Sequence, residues 1–404
     1  MTRSSNSGQT RRGFFTRAGL GLAAATAAVT LEPGIAAAEP PTDEELHKAA
    51  LAEYRPLGKT GKMVSKIGFG SASLTAPGVL DRAIDLGINY IDTAACYNGG
   101  KSEETLGKIL KKRRADVVLT TKWHPRADSK RKEMLTSLDD SLKRLKCDHV
   151  DCVLVHSVGE VDRIRNEEVF EAFAAAKKAG KVSHLGMSSH SPELIDVVKD
   201  AVALKHYEIV LLKYSFMAYP KLDPLLDDLH KAGIAVTVMK TRDGAKHVDL
   251  EKFNKGDGGF MGAALRWASS NPKIASTVIS INTFEDLAIA AQAAGQKLAM
   301  GDVDLLHQYA ATFDKEQCRW CGECGPSCPS GVKVWEVDRA AMYFQNYREE
   351  RRGMELYAEL GQPAAGCAAC AAPCESSCRF EIPIKTQLTR AHDLLSWNPR
   401  HTLG

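Results

Sequence analysis

Between Tyr54 and Ala294 the chain alternates short β-branched runs with amphipathic helical segments, eight strand–helix units in about 240 residues. The first unit is Ser65–Gly70 followed by Val79–Leu86, and the last is Ala275–Ser280 followed by Phe284–Ala294. Runs such as Asp-Val-Val-Leu-Thr-Thr at 116–121 and Asp-Cys-Val-Leu-Val-His at 151–156 are apolar on consecutive positions. Strands covered on both faces have that character, and parallel strands with helices outside are covered on both faces. Eight units at this spacing predict a closed (β/α)8 barrel over residues 53–300 rather than an open doubly wound sheet. No Gly-x-Gly-x-x-Gly follows the first strand, which counts further against the open sheet.

A barrel of this kind keeps its reactive groups at the C-terminal ends of its strands. Three ionisable residues stand at such ends: Asp92 closes the second strand, Lys122 the third and His156 the fourth. Tyr97 follows Asp92 by five residues, on a loop that turns at Gly99-Gly100 before a helix opening at Ser102. A buried lysine is costly unless paired, and Asp92 is its natural partner. A phenol with an ordinary pKa near 10 holds its proton at neutral pH and can deliver it to a carbonyl oxygen. A lysine ammonium beside it favours the phenolate left behind, and His156 can orient the carbonyl by a hydrogen bond.

After Met300 the pattern changes. Eight of the eleven cysteines lie between Cys318 and Cys378, in two groups joined by a charged segment, Val337–Leu360, that reads as a helical connector. The first group is Cys318-x2-Cys321-x2-Cys324-x3-Cys328-Pro329, the bacterial-ferredoxin run for a [4Fe–4S] cluster. The second, Cys367-x2-Cys370-x3-Cys374-x3-Cys378, carries one extra residue, with Arg379 in place of the proline. Three cysteines within seven residues are poorly placed to form disulfides, and a zinc knuckle would leave Cys324 and Cys328 unexplained. Residues 301–404 are therefore expected to be a small, mostly helical, ferredoxin-like domain holding two [4Fe–4S] clusters. Cys96, Cys147 and Cys152 read as ordinary partly buried cysteines.

Residues 1–38 stand apart from both. Arg11-Arg12-Gly13-Phe14-Phe15 is a twin-arginine core, an apolar run extends from Ala18 to Val29, and Ala36-Ala37-Ala38 is a small-residue cleavage site. The run is too short and alanine-rich for a membrane span. Residues 39–52 read as a linker. The expectation is export through the twin-arginine (Tat) machinery to the periplasm, a route suited to proteins that fold around cofactors first. The leader's four arginines exceed its one glutamate by three, which accounts for the chain's whole net charge of +3. The remainder is near neutral, which gives no case for nucleic acid as a partner.

The run Asp92-Thr93-Ala94-Ala95-Cys96-Tyr97-Asn98-Gly99-Gly100-Lys101-Ser102-Glu103 resembles the signature of the aldo-keto reductases. Arg55-Pro56-Leu57-Gly58-Lys59-Thr60-Gly61 and Val64–Gly70 are similar to that family's opening hairpin and first strand. The resemblance covers about residues 53–295. It implies a (β/α)8 barrel, a catalytic tetrad of Asp92, Tyr97, Lys122 and His156, and an NAD(P) cofactor contacted by Ser188, Ser189, Tyr214 and Lys240. It also implies interconversion of a small carbonyl compound and an alcohol, sugar-like molecules included. The cofactor end departs from the family pattern. Ser188-Ser189 replaces a Ser-Asn pair, Leu211 a glutamine, Ser280 a glycine and Ile289-Ala290 a Glu-Asn pair. The choice between NAD and NADP stays open. The ferredoxin resemblance implies a crossed ligand set, with Cys378 joining Cys318, Cys321 and Cys324, and Cys328 joining Cys367, Cys370 and Cys374. Such clusters pass single electrons, which implies a redox partner protein. Two other readings share these residues: an electron-transfer or binding protein with a degenerate nicotinamide site, and a barrel lyase or isomerase without net redox.

Overall fold

The computed structural model describes residues 53–242, 245, 250–253, 258–361 and 363–396. The leader and linker expected over residues 1–52 lie outside the described residues.

Eight parallel strands close a barrel: β3 (Ile67–Gly70), β4 (Tyr90–Asp92), β5 (Val118–Trp123), β6 (Val150–Val155), β7 (Val182–Ser189), β8 (Ile209–Lys213), β9 (Ala235–Met239) and β10 (Ser276–Ser280), with β10 paired to β3. The strand–helix alternation over Tyr54–Ala294 was thus legible as a closed sheet. The strands of the barrel wall are buried along nearly their whole length, as consecutive apolar runs require. A two-stranded hairpin, β1 (Tyr54–Pro56) and β2 (Met63–Ser65), precedes them. Leu57 and Val64 from this hairpin join Tyr90, Cys152 and Leu211 in an inner core.

The helices α1 (Pro77–Asp85), α2 (Lys101–Arg113), α3 (Arg131–Leu145), α4 (Asp162–Arg165), α5 (Glu167–Lys178), α6 (Leu194–Leu204), α7 (Asp223–Ala232), α8 (Gly259–Ser270) and α9 (Phe284–Gly295) surround the sheet. The expected leucine face on α3 is present: Leu138, Leu142 and Leu145 are buried and Leu135 is partly so. Where α2 crosses α3, Gly107 is held by contact, because a Cβ there would meet the Arg144 carbonyl oxygen at 2.3 Å. Gly186 in β7 is fixed likewise by the Leu154 side chain and the Ile209 carbonyl.

The change of composition at Met300 does not mark the change of core. Helix α10 (Met300–Phe313) packs on α8, with Leu305, Leu306 and Tyr309 against Phe260, Ala263 and Ala264. A separate core begins beyond it. The expected connector is two helices, α11 (Val334–Gln345) and α12 (Glu350–Glu359), folded back on each other across a break where Arg348 takes φ 55°. Two further helices follow, α13 (Pro373–Ser376) and α14 (Ile384–Leu395). The two cysteine groups have matching exits. Six residues after Cys328 and after Cys378 a helix begins, α11 and α14 respectively. Each is preceded by a left-handed residue, Gly331 at 64° and Glu381 at 51°. Val332 and Val334 on one side, Ile382 and Ile384 on the other, are buried together between these helices. Among the described residues no helix is long and apolar enough to cross a membrane.

Candidate active site

Asp92 is the last residue of β4, Lys122 stands next to last in β5, and His156 directly follows β6. Parallel pairing of Asp92 with Thr120 and of Lys122 with Leu154 brings these three positions to one rim. Tyr97 arrives from a turn made by three successive left-handed residues, Asn98, Gly99 and Gly100, at φ 51°, 60° and 90°. Only glycine, or asparagine at some cost, accepts that run, and it turns the chain sharply into α2. Glu103, one turn into α2, is fully buried and accepts from Thr121 Oγ1 at 2.7 Å and Arg144 Nε at 2.8 Å. It anchors the Tyr97 loop to the strand that carries Lys122.

The Lys122 ammonium is buried and donates to three oxygens: Asp92 Oδ1 at 2.5 Å, Thr93 O at 2.7 Å and Tyr97 Oη at 3.2 Å. Burial works against its charge, but Asp92 and Tyr97 outweigh that and push its pKa up, so it is an ammonium at all ordinary pH. Burial pushes the Tyr97 phenol up to about 12, against the downward pull of Lys122. The His156 ring lies edge-on to Tyr97 with centroids 5.8 Å apart. Burial first, then Lys122 and His124, press its pKa well below the usual histidine value, so the imidazole is neutral. Its Nδ1 faces His124 Nε2 and the Cys96 sulfur, the latter at 3.8 Å. Cys96 is thus an exposed member of the site rather than an ordinary partly buried cysteine. Arg163 ties the rim below by donating to the carbonyls of Pro125, His156 and Ser157 at 2.8–2.9 Å.

These groups open into a cavity of about 520 Å³. Its far wall comes from the second core: Arg339, Tyr343 and Arg352, with Lys240 and Arg242 from the barrel. The Arg352 guanidinium sits 3.9 Å from the Tyr343 ring centroid and 5.9 Å from that of Tyr97. Burial pushes the Tyr343 phenol up, but Arg352, Lys240 and Arg339 outweigh it and bring it down to about 8. A second cavity of about 560 Å³ shares Lys240 and is walled by Trp320 and Cys318. Sequence patterning gave no sign of Arg339, Tyr343 or Arg352, because nothing local in a charged amphipathic helix says that its partner is a barrel more than 100 residues earlier.

Of the four residues expected to touch a nicotinamide cofactor, Lys240 reaches the mouth and three do not. Ser188 Oγ accepts from the Ser157 amide at 2.8 Å, and Ser189 Oγ donates to the Val158 carbonyl at 2.6 Å. Both are completely buried. The Tyr214 ring stacks on Trp267 at 4.9 Å, and its hydroxyl accepts from Asn271 Nδ2 at 3.2 Å, so it belongs to the packing of α8. Leu211 and Ser280 do line the mouth, while Ala290 is buried in the outer core.

The cysteines sort into two sets. Cys318, Cys321, Cys324 and Cys378 line one small cavity. In the other set burial raises the Cys367 thiol, with Cys328, Cys374 and Cys370 adding to it. Cys324 is held at about 11 by burial, then by Cys321, Cys378 and Cys374. Thiols that raise one another's pKa in this way are a donor set that a multivalent cation would relieve. Backbone amides already point at three sulfurs: Trp320 N at Cys318, Val332 N at Cys328 and Ala372 N at Cys370, at 3.3–3.4 Å. All eight are free thiols.

A closed parallel barrel with a lysine–carboxylate pair and a phenol at its C-terminal rim defines the class of fold: an α/β-barrel with its ionisable groups at one mouth. Residues 66–245 are similar to the aldo/keto reductase family. An uncharacterised oxidoreductase of Bacillus subtilis is 33% identical over 175 residues, 40% of this chain and 56% of the relative. L-galactose dehydrogenase of Arabidopsis thaliana is 32% identical over 195 residues, 44% of this chain and 60% of that protein. The chain thus spans a little over half the length of these relatives. An aldo-keto reductase from Bacillus halodurans in its holo form matches in fold with a TM-score of 0.54 at 24% identity, over 63% of this chain and 95% of that one.

Proposed function

We propose that the protein is an oxidoreductase of aldo/keto reductase type that interconverts a small carbonyl compound and an alcohol, with Tyr97 as general acid and base. The observation that carries this reading is the buried Lys122 ammonium, bonded at once to Asp92 and Tyr97, which line an open cavity. Reduction adds two electrons and two protons to the carbonyl. Tyr97 Oη gives one proton to the carbonyl oxygen, Lys122 stabilises the phenolate that remains, and an external reduced donor, NAD(P)H or an electron carrier, would supply the two electrons and the other proton. His156, neutral, orients the carbonyl. Asp92 keeps Lys122 charged and in place. The relatives support small, sugar-like substrates, since one of them is named for L-galactose.

The eight cysteines fit two [4Fe–4S] clusters in the crossed arrangement, and when bound these supply one-electron transfer, to or from a redox partner protein. The nicotinamide fit is partial. Lys240 and Arg242 suit a pyrophosphate, whereas Ser188, Ser189 and Tyr214 are engaged with Ser157, Val158 and Trp267 and do not line the mouth. No step is assigned through that group. This second observation favours the alternative of an electron-transfer protein with a degenerate nicotinamide site. The leader over residues 1–38 supports Tat-dependent export to the periplasm. The test is anaerobic assay of cluster-loaded protein with NADH, NADPH and reduced electron carriers, for the native chain and Tyr97→Phe. The reading expects carbonyl reduction with at least one donor, lost in Tyr97→Phe while the cluster absorbance is unchanged. Full activity in that variant would remove Tyr97 from the mechanism.

A further inference from the structure

Three side chains able to ligate a metal converge at the barrel mouth, and the proton chemistry above uses only His156 among them. One ligand atom from each of Cys96, His124 and His156 lies within 4.8 Å of the other two, and all three residues line the cavity that holds Tyr97. They stand just past three successive strand ends, so the backbone fixes their approach. Trp123 pairs with Val155 and the His156 amide donates to the Trp123 carbonyl at 2.8 Å, which sets His124 and His156 side by side. Cys96 is held in the Tyr97 turn, where its carbonyl accepts from the Gly99 amide at 3.2 Å. His156 Nδ1 meets two partners, His124 Nε2 in close contact and Cys96 Sγ at 3.8 Å. A neutral imidazole nitrogen carries either one hydrogen or one lone pair, so hydrogen bonding at Nδ1 serves one neighbour well and leaves the other unserved. A cation between them serves all three.

We propose that Cys96, His124 and His156 form a binding site for a divalent transition metal of the zinc class, with a fourth position open to the cavity. One sulfur with two imidazoles selects such an ion over magnesium or calcium, which take oxygen ligands. Three protein ligands and one open position is the arrangement of a zinc ion that meets water or a substrate. Ligation through Nδ1 keeps the His156 proton on Nε2, so the ring stays a hydrogen-bond donor to an incoming oxygen. The cations around the cluster oppose a metal ion, but each is already engaged. Lys122 is bonded to Asp92 at 2.5 Å, Arg163 to three backbone carbonyls and Arg352 to Glu349 at 2.9 Å. Cys96 releases its thiol proton on binding and adds a negative charge. The site goes beyond carbonyl reduction and does not depend on it. The test is equilibrium dialysis of anaerobic cluster-loaded full-length protein against zinc chloride, with zinc and iron counted per chain. One zinc is expected beside the iron, and its X-ray absorption should show one sulfur at about 2.3 Å and two nitrogens at about 2.0–2.1 Å. Cys96→Ser and His124→Gln should each weaken binding by more than about a hundredfold, beyond what loss of an outer-shell partner costs. Cys147→Ser, at a thiol packed against the outer core, should leave it unchanged. Circular dichroism and cluster absorbance establish that each variant is folded. If no zinc is retained, if both variants bind it as the native chain does, or if its shell is sulfur alone, as in a vacated cluster site, the proposal is wrong. Zinc bound with this shell in a protein that reduces no carbonyl would leave the site standing and sink the proposed reaction instead.

Discussion

Replacing Lys122 by methionine tests the centre of the site through stability as well as rate. The side chains of Lys122 and Asp92 are 1% and 4% exposed, so solvent screens their attraction very little. Asp92 Oδ2 has no hydrogen-bond partner, so its other oxygen depends on the lysine at 2.5 Å. Removing one member of such a pair strands the other charge and costs about 3–5 kcal/mol. In a barrel of this size about 1 kcal/mol moves the melting temperature by roughly 2–4 °C, so a fall of about 6–20 °C is expected. The double variant Lys122→Met/Asp92→Leu removes both charges and should recover most of that loss. Activity should not follow, because Tyr97 then lacks the ammonium that stabilises its phenolate. A loss of about 10²–10³-fold in kcat is expected in both variants, the scale of removing one preorganised charge-stabilising contact. Anaerobic thermal denaturation by circular dichroism, run beside the carbonyl-reduction assay, separates the two effects. A single variant that melts within a degree of the native protein would show that no buried ion pair is broken. The assignment of Lys122 as a paired ammonium would then fail.

Other expectations follow from the same geometry. Tyr97 must be protonated to act as acid and its pKa is pushed up to about 12, while neutral His156 is pressed downward. Tyr97 ionisation should therefore leave the reduction rate undiminished from about pH 7 to about pH 10 and lower it only as pH approaches 12, which a pH profile of kcat/KM would check. Cys378→Ser removes a thiol from the Cys318–Cys321–Cys324 cavity and should lower bound iron by about four atoms per chain, with the other cluster retained in iron and paramagnetic-resonance measurements. Asp151 is buried; burial raises its pKa, but Arg114 at 2.7 Å, Lys62 at 2.8 Å and the Leu119 amide at 2.9 Å outweigh that and lower it. Its stabilisation is thus present above the unfolded pKa of about 4 and lost as pH falls through the lower folded value. Asp151→Asn should cost about 1–3 kcal/mol at pH 7, and the difference should shrink in melts at pH 3.

The barrel was legible because each strand announces itself locally: a consecutive apolar run such as Val118–Trp123 needs cover on both faces wherever it falls in the chain. The meeting of Asp92, Lys122 and His156 at one rim was legible for the same reason, since each ends or directly follows such a run. Near Met300 composition changes before packing does: Leu305 and Tyr309 pack with Phe260 and Ala263 of the barrel side. Ser188, Ser189 and Tyr214 show what strand position leaves open. Their positions along the strands follow the family pattern, but which way a hydroxyl or ring faces depends on neighbours such as Val158 and Trp267 that the pattern does not contain. The wall formed by Arg339, Tyr343 and Arg352 had no signal at all.

That wall bears on what the cysteine-bearing core is for. A cluster module serving only to hold the chain together could dock anywhere on the barrel, and its cationic residues would face water. Here Trp320, whose amide points at the Cys318 sulfur and whose indole donates to Asp338 at 2.7 Å, lies 4.2 Å from Lys213 Nζ and 5.1 Å from Lys240 Nζ. Lys240 in turn lines both the cavity beside Cys318 and the cavity that holds Tyr97. One layer of side chains therefore separates the first cysteine set from the proton-handling residues.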